Sequence, residues 1–292
     1  KASGTEAVNK INETAKSDKG SVTAITDNGA AYAIAATEGG TNTLGGVTSV
    51  EAKGTTGASG INANTNSVNT VAMNGNLTAK STGTEGAYPV YAVNAHNSST
   101  NNVTGTKNIT ATDTYGNAYG INATEGSTNN VNKDVTKTMG DMTVSSDNGT
   151  AYGITADAFS TTINTPTTNN VGGLGKVTVT STKDTAVGID VAGGDADNLA
   201  ANNVNLTGDI TVKAATSGSA YGVNADAYGN NTVTGTGATN LSVKSTDGTA
   251  IGFEAGTVGV EEGGTSAVNT ATGLQAITVD GTATNYDVIA GL

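Results

Sequence analysis

The hexapeptide Ala118-Tyr119-Gly120-Ile121-Asn122-Ala123 recurs along the chain in nine recognisable copies. The apolar residue at the centre of each copy is Ile34, Ile61, Val93, Ile121, Ile154, Ile189, Val223, Phe253 and Val288. Consecutive copies lie 27 to 35 residues apart, with a mean of about 32. A period of this length is typical of stacked supersecondary units, none of which buries its apolar face alone.

Each period contains two further strand-like segments. The second carries asparagine followed by valine, as in Asn130-Val131, and the third alternates apolar and hydroxyl residues, as in Ile109-Thr110-Ala111-Thr112. Three short strands per period predict an all-β fold, a parallel β-helix (β-solenoid) of about nine coils of roughly 32 residues. A single domain is expected over residues 1–292, with a partial first coil at 1–30, repeats at 31–285 and a last partial coil at 286–292.

Alternation along the first strand predicts which side chains face the core. Tyr119, Ile121 and Ala123 are expected inward, and Gly120 and Asn122 outward. Because glycine lets another backbone or a ligand approach closely, the outward columns form a candidate flat binding face. Two interpretations stay open: a corner loop covers this face, or the face contacts a glycan or a protein. Its members are Gly60, Asn62, Asn94, Gly120, Asn122, Gly153, Gly188, Gly222 and Asn224.

Two other columns of polar residues suggest further roles. Asparagine tolerates a left-handed backbone, so Asn102 and Asn130 are expected at tight corners, where stacked side chains form a hydrogen-bonded ladder. The threonines of the third strand are expected outward, and flat threonine arrays resemble the ice-binding faces of antifreeze β-solenoids. Lys80, Lys213 and Lys244 interrupt this array. Ice binding is therefore a remote alternative.

Composition argues against several partners and chemistries. The chain has no cysteine, hence no disulfide and no thiolate metal site. A net charge of −12 disfavours nucleic acid and anionic membranes, and no apolar run is long enough for a membrane helix. His96 is the only histidine, so we predict neither a histidine metal site nor an enzyme. A weak calcium motif at Asp195 and Asp197 is the one cofactor candidate.

The repeats resemble a known family of secreted proteins. Gly116–Ile121, Gly149–Ile154 and Gly218–Val223 are similar to repeats in the passenger domains of type V autotransporter adhesins of Gram-negative bacteria. That resemblance implies a cysteine-free β-helix exported to the bacterial cell surface, with a host or bacterial surface protein or glycan as its partner. The sequence shows neither a signal peptide nor a membrane β-barrel, so a passenger or part of one is expected.

Contacts with a ligand are expected from corner loops, where Tyr115, Phe159 and Tyr228 are the aromatic candidates.

The chain starts at a second-strand position, Ala7-Val8, and ends after a first strand, near Ile289 and Leu292. Head-to-tail stacking of these ends would pair bare strand edges and form an open filament. The sequence therefore predicts a non-enzymatic adhesin passenger, with a structural filament subunit as the alternative.

Overall fold

The chain folds into a parallel β-solenoid in the computed structural model, which describes residues 1–4, 7–11, 20–83, 88–133, 138–158, 165–195, 198–256 and 267–281. These residues contain strands and no helix. The strands are β1 (Ala2–Ser3), β2 (Val8–Ile11), β3 (Gly20–Ile25), β4 (Ala30–Thr37), β5 (Thr41–Gly54), β6 (Gly57–Asn64), β7 (Val68–Met73), β8 (Leu77–Ser81), β9 (Val90–His96), β10 (Thr100–Thr104), β11 (Ile109–Asp113), β12 (Ala118–Thr124), β13 (Thr128–Val131), β14 (Met142–Ser146), β15 (Ala151–Asp157), β16 (Thr167–Leu174), β17 (Val177–Ser181), β18 (Ala186–Ala192), β19 (Ala200–Leu206), β20 (Ile210–Ala214), β21 (Ala220–Asp226), β22 (Gly229–Ser245), β23 (Ala250–Ala255) and β24 (Val268–Gly281).

The strands pair in parallel with their equivalents in neighbouring coils, which gives a nine-stranded sheet and a fifteen-stranded sheet. We call the nine-stranded sheet the first sheet and the two parts of the fifteen-stranded sheet the second and third sheets. The first sheet has the order β1-β4-β6-β9-β12-β15-β18-β21-β23. The second contains β2, β7, β10, β13, β16 and β19, and the third contains β3, β8, β11, β14, β17 and β20. The long strands β5, β22 and β24 run from the second sheet into the third.

The solenoid has about eight turns of about 32 residues. The parallel β-helix and its three strands per coil are therefore confirmed. The predicted ninth copy, around Val288, lies outside the described residues.

The core is a narrow apolar interior shared by all three sheets. Ile121 and Ile154 of the first sheet and Ile109 and Met142 of the third are fully buried. Ala123, like most members of its column, is also fully buried, since only a small side chain fits at that narrow position. The inward placement of the isoleucine and alanine columns is confirmed from β4 to β21, whereas Ala255 on β23 is exposed and Val288 and Ala290 lie outside the described residues.

The predicted inward tyrosine and outward glycine were both wrong. Gly120 is buried, and a methyl group added to it would lie 2.6 Å from Met142 Sδ and 3.0 Å from Val144 Cγ2 of the third sheet. Gly120 and Ile121 thus both face inward, so strict alternation is broken at this point and Tyr119 lies outside. The same inward packing holds for Gly60, Gly153, Gly188 and Gly222. In the described coils, these glycines therefore form no flat outer strip.

The asparagine pairs lie in strands rather than at corners. Asn101 and Asn102 belong to β10, and the left-handed corner positions are held instead by residues such as Glu38, Asn97 and Glu125. The predicted ladder does form, since Asn130 Nδ2 donates to Asn102 Oδ1, Asn170 Nδ2 donates to Asn130 Oδ1 and Asn203 Nδ2 donates to Asn170 Oδ1. The preceding asparagine of each pair belongs to a second, inward ladder that was not predicted. The members of this inward ladder, all part of one chain of side-chain hydrogen bonds, are Asn9, Asn42, Asn69, Asn101, Asn129, Asn169, Asn202, Asn231 and Asn269.

Candidate functional site

Tyrosines form the first column on the outer face of the first sheet. Tyr91, Tyr119 and Tyr152 are paired in register on β9, β12 and β15. Their rings stack with centroid distances of 4.9 Å and 4.8 Å, at interplanar angles of 21° and 5°. Ser59 takes the tyrosine position one coil earlier, so the stack begins at Tyr91.

Asparagines form the second column on this face. Asn94 Nδ2 donates to Asn62 Oδ1 and Asn122 Nδ2 donates to Asn94 Oδ1, both over 2.8 Å. These three side chains are only 8%, 9% and 4% exposed, although they face outward. They therefore form a deep polar line beside the tyrosine rings.

The third column contains Asn64, His96, Thr124 and Asp157, which are paired in register and half-buried. The His96 Nδ1 and Thr124 Oγ1 atoms lie 2.7 Å apart, and His96 Nε2 lies 3.6 Å from Glu125 Oε2. This column supplies both hydrogen-bonding groups and charge.

Two pockets lie along these columns and share Asn64. One has a volume of about 360 Å³ and is lined by residues that include Tyr91, Asn94, His96 and Asn122. The other has a volume of about 380 Å³. Its lining includes Lys1, Tyr32, Thr37, Asn62 and Asn64. We call the two pockets together the outer-face groove; it crosses β4, β6, β9, β12 and β15.

Burial controls the ionisation of groups on this face. It raises the pKa of the Tyr91, Tyr119 and Tyr152 hydroxyls, which therefore stay protonated and able to donate. Burial also raises the pKa of Asp190 to about 6, and the neighbouring Asp226 carboxylate adds to this effect. The hydrogen bond from Asn224 Nδ2 to Asp190 Oδ1, 2.9 Å long, acts in the opposite direction.

Unpartnered polar atoms are concentrated on the same face. Among the described residues, seven buried side-chain oxygen or nitrogen atoms have no hydrogen-bond partner. Four of them belong to the outward columns of the first sheet: Thr37 Oγ1, Ser59 Oγ, Thr155 Oγ1 and Asn224 Oδ1. Such groups are rare in folded proteins because an unmade buried hydrogen bond is costly.

The structure brings together part of the predicted binding face. Asn62, Asn94 and Asn122 line the groove, and Asn224 lies further along the same column. The five glycines of the predicted face lie against the core instead. At each of them, a third-sheet side chain occupies the space that a β-carbon would take.

The predicted loop contacts are dispersed. Tyr115 is 50% exposed, whereas Tyr228 is buried at 6% exposure and packs against the turn at Gly193, so its role as an exposed contact was wrong. Phe159 lies outside the described residues.

The calcium motif and the chain ends fall only partly within the described residues. Asp195 Oδ1 accepts hydrogen bonds from the backbone and side-chain nitrogens of Asn198, and Asp197 lies outside the described residues. Ala7 is half-buried and Val8 is 54% exposed. Ile289 and Leu292 also lie outside the described residues.

Sequence reasoning missed the tyrosine column and the third column, which contains His96, as parts of the site. A signal was present, because the tyrosine position is Ser59 in one coil, whereas the position of Ile121 is apolar in every coil. A column that accepts serine faces solvent more readily than one that never does.

Within the described ranges, no three acidic or histidine side chains lie close enough to hold a metal ion. The same ranges contain no helix long and apolar enough to cross a membrane. No protein-family model, curated protein or solved structure matches this chain at a significant level.

Proposed function

We propose that the protein is a non-enzymatic, extracellular β-solenoid of the adhesin passenger type, which attaches a bacterial surface to another cell or to host material. The observation that carries this proposal is the outer-face groove, a concave line of tyrosine, asparagine and threonine side chains along one side of a rod. Concave surfaces in which a few convergent polar groups lie beside aromatic rings are typical of ligand-binding sites.

The asparagine ladder supports a binding role because it makes the rod rigid. Asn129 is fully buried, donates to Asn122 O over 2.6 Å and donates to Asn169 Oδ1 over 2.9 Å. Each inward asparagine thus ties its own coil together and joins it to the next. A surface held in this way loses little conformational entropy when it binds a partner.

The group formed by His96, Thr124 and Glu125 is better suited to binding a ligand than to hydrolysis. Thr124, His96 and Glu125 lie in the order hydroxyl, imidazole, carboxylate, as in nucleophilic hydrolases. At 3.6 Å, however, the Glu125 carboxylate is too far from His96 Nε2 for the hydrogen bond that would orient the ring. We therefore assign these side chains to ligand contact.

Adhesion is tested with fluorescent beads coated with the purified chain and applied to epithelial and bacterial cells. The chain should retain beads on at least one cell type. Asn64→Tyr, which fills the junction of the two pockets, should release them. Thr110→Tyr, a matched change on the outer face of the third sheet, should not. No retention on any surface, or equal retention by both variants, would refute the proposal.

Head-to-tail filament assembly stays a second prediction. Among the described strands, β2 in the first coil pairs with β5 alone, and β24 in the last described coil pairs with β22 alone. Negative-stain electron microscopy over a concentration series distinguishes the two functions. Single short rods at every concentration favour the adhesin, and long filaments of constant width favour the fibre subunit.

A further inference from the structure

We infer that the outer-face groove binds a neutral oligosaccharide laid along the axis of the solenoid, an inference that rests on the proposed adhesive function. The shape of the groove is the first argument. It crosses five consecutive strands of the first sheet, β4 to β15. Four steps of about 4.8 Å give a length of about 19 Å, which suits a short linear chain better than a single small molecule.

The chemistry of the lining is the second argument. Asn94 and Asn122 each use one amide hydrogen in the column and keep a second donor, and the Tyr91 hydroxyl remains protonated. Sugar hydroxyls both donate and accept, so they complement amide and hydroxyl groups. The Tyr91 ring lines the groove, and its face on the Ser59 side is not covered by the tyrosine stack, so it offers apolar surface to the C–H face of a pyranose.

The unpartnered hydroxyls are the third and independent argument. Thr37 Oγ1 lines one pocket, while Ser59 Oγ and Thr155 Oγ1 lie in the tyrosine and asparagine columns beside it. Ser59 is 2% exposed and Thr155 is 6% exposed. Of these, Thr37 lies in the pocket lining, where a ligand rich in hydroxyl groups can supply the hydrogen bond that Thr37 Oγ1 lacks.

The charge of the groove selects against acidic sugars. Lys1 lies at one end, whereas Glu125 and Asp157 lie at the other, and the middle is lined by neutral side chains. The whole chain carries a net charge of −12, so its field repels anions. Sialylated or uronate chains should therefore bind more weakly than neutral chains of the same length.

The test uses an array of neutral gluco-, manno- and N-acetylglucosamine oligosaccharides, printed beside sialylated and uronate oligosaccharides. The full chain should bind at least one neutral series, with affinity rising with chain length. Asn122→Ala and Asn64→Tyr should each weaken binding about tenfold or more, and Thr110→Tyr should change it less than about twofold. Circular dichroism confirms that each variant is folded, and mass spectrometry of the recovered sugar should find it intact.

The outcomes separate this inference from the adhesive function. In one outcome, beads bind cells and still bind after the cell-surface sugars have been oxidised with periodate. This result would overturn the oligosaccharide inference and leave the adhesive function supported. Array binding confined to acidic sugars, or unaffected by the groove variants, would also overturn it. In another outcome, neutral sugars on the array bind the groove but no cell type retains the beads. This result would support the oligosaccharide inference and count against the adhesive function.

Discussion

Replacing Asp190 by asparagine should stabilise the protein at neutral pH. Asp190 lies on β18 in the asparagine column, between Thr155 and Asn224 of the neighbouring coils. Burial raises its pKa from 3.8 to about 6, and the carboxylates of Asp226 and Asp157 contribute to the same change. An amide has nearly the same shape as the protonated carboxyl group and never carries its charge.

The sign follows from proton linkage. Between pH 3.8 and about 6 the folded protein holds a proton on Asp190 that the unfolded chain has lost, so the free energy of unfolding falls as pH rises through this window. The difference between the two pKa values corresponds to about 3 kcal/mol. Asp190→Asn should therefore gain up to about 3 kcal/mol at pH 7.5 and almost nothing below pH 4.

Urea denaturation at pH 4 and pH 7.5, followed by circular dichroism, measures the effect. Because coils of a solenoid can unfold separately, hydrogen exchange of β15, β18 and β21 should report the same gain locally. The matched control is Asp247→Asn, an exposed position that also removes one negative charge. A gain no larger than that of the control, or one that persists at pH 4, would refute the reasoning.

Three further predictions concern the ladder, the glycine column and the third sheet. Asn129→Ala should lower the free energy of unfolding by about 3 kcal/mol in urea titrations, since it leaves several buried groups unpaired, whereas half-buried Asn130→Ala should cost about 1 kcal/mol or less. Gly153→Ala places a methyl group 2.3 Å from Gly188 O and should lower the melting temperature. Gly252→Ala meets only side chains, at 3.2 Å and 3.3 Å, and should be nearly neutral. Thermal-hysteresis measurements should detect no ice binding, because exposed lysines such as Lys213 interrupt the threonine array.

The fold could be predicted because its main signals are local and repeated. Alternation along the third strand places Ile109 and Ala111 in the core and Thr110 outside, as the structure has them. Stacking in register was also foreseeable, since the equivalent asparagines recur at nearly the same spacing as the coils. These features depend on strand geometry alone, which the sequence pattern carries directly.

The site could be predicted only in part, because it depends on a break in alternation. Asn94 and Asn122 were placed correctly on the outer face, but Tyr119 and Gly120 were exchanged. A period of two assigns adjacent residues to opposite faces, whereas Gly120 and Ile121 share the core. The inward placement of both residues depends on side chains of the third sheet, which are remote in sequence and pack beside Gly120.

The glycine column connects the core to the groove. Met142 and Val144 of the third sheet pack beside Gly120, and this packing keeps Ile121 inward and Tyr119 outward. The tyrosine spacing of 4.8 Å is then fixed by strand pairing rather than by the rings themselves. Because the outward columns contribute little to the core, their side chains can change from coil to coil, as at Ser59, without loss of the fold. In the proposed binding role, ligand specificity would therefore be set by which side chain each coil presents, and the core would set only their spacing.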